Sequence, residues 1–126
     1  MTEDYVSFET AKLLKKKGFE GECQCFYEIS PEDGITRVCG TDCHDNKKRM
    51  FEYSRPTLQM AMKWLRKEKG IAIIPVITSI LDNEKFLWDI KIVVAKTNET
   101  YSQGWIYEEP EEAYETAIKY ALENLI

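Results

Sequence analysis

The sequence predicts an α+β fold, with a mainly antiparallel sheet packed by helices in a single domain over residues 1–126. Three observations support this prediction. Apolar residues recur at helical spacing in some segments, alternate with polar residues in others, and are separated by turn-forming residues. The predicted element order is α-β-β-α-β-β-β-α. A chain of 126 residues, 44% apolar and 31% charged, can form a core and is too apolar to be disordered.

The first helix begins after Ser7, whose hydroxyl can cap it, and Glu9 lies in the first turn where the helix dipole favours an anion. Gly18 is the expected left-handed stop, with Phe19 folding back on Leu14.

A hairpin follows the first helix. Residues 23–29 and 35–40 are predicted strands, and the turn at 31–34 has a proline that presets φ and a glycine suited to positive φ. This turn places Glu28 opposite Arg37 and Cys39 opposite Phe26. Residues 41–53 begin with nine mostly polar positions and are predicted to be a surface loop.

The remaining elements follow from the same signals. Residues 57–69 form an amphipathic helix, 71–81, 86–96 and 101–107 are strands, and 110–125 form the last helix. Pro75 cannot donate a ladder hydrogen bond, so 71–81 is expected at a sheet edge or with a bulge. The predicted core is Leu14, Trp64, Leu65, Ile90, Ile92, Ile118 and Leu122.

The compartment follows from the apolar pattern. The longest apolar stretch, residues 71–77, is too short to span a membrane, and the N-terminus lacks an apolar signal core. We therefore expect a cytoplasmic protein with no membrane partner, whose four cysteines are reduced thiols or metal ligands.

The cysteines offer one candidate metal site. Thiolates on both hairpin strands could bind one tetrahedral Zn²⁺, with His44 as a spare ligand. The Cys-x-Cys spacing is not that of the usual zinc knuckle, and free cysteine is also a common small core residue. Both interpretations stay open for the predicted ligands Cys23, Cys25, Cys39 and Cys43.

No catalytic or cofactor-binding residue is predicted. Cys43 and His44 are neighbours on the expected loop, with no third group to orient the imidazole. No phosphate-binding glycine loop, dinucleotide fingerprint or nucleophile elbow occurs. A small enzyme is the least favoured alternative.

Nucleic-acid binding is an alternative because the last five elements, α-β-β-β-α, have the order of double-stranded-RNA-binding domains. That family contacts phosphates with a lysine-rich start to its last helix. Here residues 108–112 are Glu-Glu-Pro-Glu-Glu, and residues 71–126 carry a net charge of −6. Binding would require a cationic surface formed by residues 15–17, 47–49 and 66–69. The charges therefore argue against nucleic acid.

Three segments together resemble a family of small uncharacterised proteins of gut bacteria, some borne on prophages or other mobile elements. They are residues 5–14, 56–66 and 111–126. The resemblance covers about a third of the chain and implies no activity, cofactor or site residue.

The leading hypothesis is a non-catalytic interaction or accessory module, as the resemblance to mobile-element proteins also suggests. Its partner is an unknown protein, and the oligomeric state is undetermined. The aromatic segment 101–107 could expose Trp105 or a tyrosine to the partner, or Trp105 could pack under the last helix. The alternatives are a zinc-stabilised or nucleic-acid-binding module.

Overall fold

The computed structural model describes residues 4–47, 50–102, 104 and 106–126. Within these ranges the chain forms three helices and two antiparallel sheets, which confirms the α+β class. The elements are α1 Phe8–Lys16, β1 Cys23–Ile29, β2 Thr36–His44, β3 Glu52–Ser54, α2 Leu58–Lys69, β4 Ile71–Leu81, β5 Lys85–Val94, β6 Glu99–Ser102 and α3 Pro110–Asn124. None of these helices is long and apolar enough to cross a membrane.

The chain groups into two compact units, residues 1–61 and residues 62–126. The prediction of a single domain stays a prediction, and the two units are described in turn.

Helix α1 begins and ends as predicted. The Ser7 hydroxyl accepts a hydrogen bond from the Thr10 N–H at 3.3 Å. At the other end Gly18 has φ of +93°, and the Phe19 N–H donates to the Leu14 carbonyl at 2.9 Å. These bonds satisfy groups that a helix end leaves without partners, so local sequence sets both boundaries.

The first sheet has the order β2-β1-β3 and lies in residues 1–61. The β1–β2 register pairs Glu28 with Arg37 and Phe26 with Cys39, as predicted. Helix α1 packs on this sheet through Phe8, whose ring meets those of Tyr27 and Tyr53 edge to face, each with centroids 5.5 Å apart.

The prediction of a surface loop over residues 41–53 is wrong at both ends. Strand β2 continues to His44, and Glu52–Ser54 forms β3 against β1. Three residues are too few for an apolar period, so β3 owes its place to long-range pairing. The Arg55 N–H, for example, donates to the Cys25 carbonyl at 2.9 Å.

The second sheet is an antiparallel meander, β4-β5-β6, in residues 62–126. Residues 82–84 join the first two strands, with φ of +52° at Asp82 and +58° at Asn83, and the Glu84 N–H donates to the Leu81 carbonyl at 3.0 Å. Positive φ at both central residues is typical of a type I′ hairpin turn, whose twist matches the strands. Helix α3 packs on β4 and β5.

Pro75 lies in an edge strand, as predicted, and a bulge follows it between Ile77 and Ser79. The N–H and carbonyl of Trp88 both bond to Tyr107, on the side of β5 away from β4. Trp88 is paired with Ile77 of β4, so the backbone N–H and carbonyl of Ile77 point to the outer edge of β4. Peptide groups alternate in direction along a strand, so the ring nitrogen of Pro75, two residues earlier, points to the same edge. The missing N–H of Pro75 therefore costs no bond between β4 and β5.

Six of the seven predicted core residues are at most 1% exposed: Leu14, Leu65, Ile90, Ile92, Ile118 and Leu122. Trp64, the seventh, is less completely buried than these six. The Lys69 amine lies over its indole ring, 5.5 Å from the centroid, so the ring occupies the boundary between core and solvent.

The predicted strand over 101–107 is also shorter in the structure. Strand β6 ends at Ser102, and Tyr107 forms an isolated bridge to Trp88 outside the named strands. Trp105, Lys48 and Arg49 lie outside the described residues, so the predictions that involve them are untested.

Candidate functional site

The four cysteines lie on the predicted hairpin with different exposures. Cys23 is buried, Cys25 and Cys39 are half-buried, and Cys43 is exposed, each as a free thiol. Cys23 pairs with His44, but a bulge separates Cys23 from Cys25. The bulge interrupts the alternation of side chains along β1, so the Cys-x-Cys spacing does not by itself put both thiols on one face.

No group of three or more cysteine, histidine or acidic side chains is arranged to hold a metal ion within the described part of the chain. Burial raises the pKa of Cys23 to about 11, although a hydrogen bond with Ser54 opposes the rise. At neutral pH this sulfur is therefore a protonated thiol, and zinc would have to displace its proton. Zinc binding by the four cysteines stays a prediction.

A buried polar cluster around His44 was missed by the sequence interpretation. The ring Nδ1 lies 2.8 Å from the Ser54 Oγ, and Nε2 lies 3.2 Å from a Glu52 carboxylate oxygen. The imidazole also stacks on Phe26, with centroids 4.4 Å apart and planes inclined by 10°. Ser54 is fully buried and Glu52 is 8% exposed.

Two further side chains hold this cluster in place. The Asn46 amide oxygen accepts the Ser54 N–H at 2.8 Å, and its nitrogen donates to the Phe19 carbonyl at 3.0 Å. The Lys15 amine of α1 donates to the Glu52 carbonyl at 2.8 Å. The cluster thus links α1, the end of β2 and β3.

A carboxylate, an imidazole and a hydroxyl joined by hydrogen bonds are also the groups of a catalytic triad. Here the hydroxyl of Ser54 has no exposed surface, so a substrate cannot reach it. Both ring nitrogens of His44 are held by Glu52 and Ser54, which leaves neither to activate Cys43. The arrangement acts as a satisfied polar network that joins β3 to the end of β2.

An open groove of about 260 Å³ lies beside this sheet. Its lining contains two carboxylates, Glu28 and Glu52, and no cysteine, histidine or serine. Because the Glu52 carboxylate is turned toward His44, the groove offers no nucleophile and base together.

Two lysines of the predicted basic patches already contact other groups of the protein. The Lys15 amine bonds to Glu52 and lies 4.7 Å from the centroid of the Tyr53 ring. Lys47 pairs with Glu20 at 3.7 Å. These cations are therefore already engaged with the protein's own groups.

An apolar strip lies exposed on the β4–β5 hairpin of residues 62–126. Tyr101 is paired with Ile92 and contacts Tyr120 of α3, so this side of the sheet faces α3. Alternate residues of a strand share a face. The residues that continue this face beyond Ile90 form the hairpin strip: Ile77, Ile80, Phe86 and Trp88.

The hairpin strip emerges from under α3. Ile90 is 1% exposed, whereas Ile77, Ile80 and Phe86 are 48%, 59% and 50% exposed. The eleven residues of β4 extend about 37 Å at 3.4 Å per residue. The fifteen residues of α3 span only about 22 Å, so one helix cannot cover the whole face.

Four glutamates surround the start of α3, within five residues of the backbone bridge to Trp88 of the hairpin strip. Trp88 is bridged to Tyr107 by backbone bonds of 2.7 and 2.9 Å, and α3 begins three residues later at Pro110. We call the acidic residues here the acidic start: Glu108, Glu109, Glu111 and Glu112. None of the four forms an ion pair with a lysine or arginine in the described ranges.

Comparison with known proteins found no matching family model, no matching curated protein and no matching solved structure.

Proposed function

We propose that this protein is a non-catalytic interaction module that binds a protein partner through the hairpin strip. The proposal rests on one observation. Three large apolar side chains on one face of the hairpin are each about half exposed: Ile77, Ile80 and Phe86. Contiguous apolar surface of this kind marks interaction sites in soluble proteins.

The polar chemistry of residues 1–61 supports a non-catalytic role. The one imidazole in the chain is His44, and its nitrogens are occupied within the buried cluster. The hydroxyl that it faces, on Ser54, is inaccessible. An acyl-transfer mechanism would require one of these groups at the surface.

The face of the hairpin is better suited to binding than its edge. Strand β4 has no charged residue, which leaves its edge open to pairing with other strands. Pro75, however, has its ring nitrogen directed to that edge and cannot donate a bond to an added strand. The partner is therefore expected to contact side chains of the sheet face.

The proposal places the protein in the cytoplasm, where four reduced thiols persist. An accessory role in a prophage or mobile element is in keeping with the resemblance of residues 5–14, 56–66 and 111–126.

A photo-crosslinking amino acid at Ile80 tests the proposal in cells of the native host. Its matched control is the same amino acid at Val38 on β2, because the two native side chains are 59% and 56% exposed. We expect a discrete crosslinked protein from Ile80 only, which unlabelled wild-type protein displaces. Equal crosslinking from both positions, or none from Ile80, contradicts the proposal.

A further inference from the structure

We infer that the partner binds the hairpin strip with a cationic amphipathic helix, placed beside the start of α3. This inference rests on the proposed function and specifies the chemistry of the partner. It joins two independent observations, the uncovered apolar face and the neighbouring carboxylates, which form no ion pair with a lysine or arginine of the described ranges.

The apolar face fits a helix. Helix α3 already packs on this side of the sheet and covers Ile90 and Ile92. A second helix beside the strip would extend the same layer, which is how α+β folds cover an apolar sheet. Phe86 and Trp88 lie about 7 Å apart along β5, at 3.4 Å per residue. Helical residues four apart are separated by about 6 Å along the axis, a close match.

The acidic start favours a positively charged partner helix. Glu108 directly follows the bridged Tyr107, so the carboxylates begin where the strip meets α3. A helix whose apolar side chains lie on Trp88 brings its flanking residues near these carboxylates. Lysine or arginine there can lay its aliphatic stem on the strip and its charge beside a glutamate.

The same charges disfavour a second copy of this chain as the occupant. In a dimer joined strip to strip by a two-fold axis, the acidic start of each copy, with four carboxylates, would face either the acidic start or the hairpin tip of the other. At the hairpin tip Asp82 and Glu84 outnumber Lys85, so the tip does not supply compensating charge. Like charges facing each other oppose such a dimer.

The test uses two fluorescein-labelled synthetic helices of 14 residues with identical leucine stripes. All positions outside the leucine stripe are lysine in one peptide and glutamate in the other. Fluorescence anisotropy with the full chain should show binding of the lysine peptide, weaker by about tenfold between 50 and 300 mM salt as surface charges are screened. The glutamate peptide should not bind.

Three variants separate the contributions. Ile80→Ser with Phe86→Ser should abolish binding of the lysine peptide, because both removed side chains lie on the strip. Glu108→Lys with Glu109→Lys and Glu112→Lys should transfer the preference to the glutamate peptide. The matched control is Ile35→Ser with Val38→Ser, whose native side chains are 54% and 56% exposed elsewhere, and it should bind normally.

Equal binding of both peptides, or retained binding by the Ile80→Ser, Phe86→Ser protein with an unchanged circular dichroism spectrum, overturns the inference. Sedimentation that shows a wild-type dimer dissociated by Phe86→Ser also overturns it, by assigning the strip to a second copy. A specific crosslink from Ile80 without any charge preference would leave the proposed function standing and the inference refuted.

Discussion

Replacement of Leu122 by alanine measures how strongly α3 is docked on its sheet. Leu122 has no exposed surface, and α3 packs against β4 and β5. The substitution removes buried apolar volume while alanine keeps the helix favourable. Its cost therefore reports tertiary packing and not helix propensity.

The expected magnitude follows from the buried atoms. Leucine to alanine removes three carbon groups, worth about 2.4 kcal/mol at 0.8 kcal/mol for each buried group. A residual cavity adds to this, so the free energy of unfolding should fall by about 2–5 kcal/mol. For a chain of 126 residues the total stability is on the order of 6–19 kcal/mol, so the loss is easily measured.

Urea unfolding followed by tryptophan fluorescence is the appropriate assay, because all three tryptophans lie within residues 62–126. Leu125→Ala is the matched control: Leu125 is half-buried at the end of α3, and its backbone N–H bond to Ala121 survives the change. It should cost under about 1 kcal/mol, in keeping with a partly exposed site. A loss below half a kcal/mol for Leu122→Ala refutes the docking of α3.

Three further predictions concern the thiols and the charge of the chain. Burial raises the pKa of Cys23 to about 11, so its stabilising contribution is complete below the pKa near 9 of an unfolded thiol and is lost as pH rises to about 11. The urea midpoint of the wild-type protein should fall between pH 9 and about 11, and that of Cys23→Ala should fall less. Equal pH dependence of the two midpoints refutes this prediction. If the thiols bind zinc, protein purified without chelator should carry about one Zn²⁺ per chain and lose stability in EDTA. A metal ratio near zero leaves four ordinary thiols at Cys23, Cys25, Cys39 and Cys43. The chain should not bind a 20-base-pair RNA duplex at about 150 mM salt, because the acidic start repels phosphate. Saturable binding below about 10 μM in fluorescence anisotropy contradicts the charge argument.

The sequence determined the features that depend on neighbours in the chain. The Ser7 cap, the Gly18 stop and the turn at Asp82 and Asn83 are decided within a few residues. The apolar period of α3 likewise identifies Ile118 and Leu122 as core. Such features are readable because backbone bonding near helix ends and turns is satisfied locally.

Only the tertiary structure decided the His44 cluster. Its members come from β1, β2 and β3, and Ser54 is ten residues from His44 in sequence. Strand β3 itself has three residues, too few to show an alternation. Its position depends on pairing with β1, and pairing between distant strands leaves little trace in either strand alone.

The tertiary structure also decided which apolar residues of the hairpin remain exposed. Ile80 and Ile92 look alike in sequence, as apolar positions on one alternating face, yet they are 59% and 0% exposed. The difference arises because α3 is shorter than β4 and covers only the part of the sheet near Ile92. Sequence pattern gives the face of a strand, whereas the extent of its cover depends on where the helix lies in space.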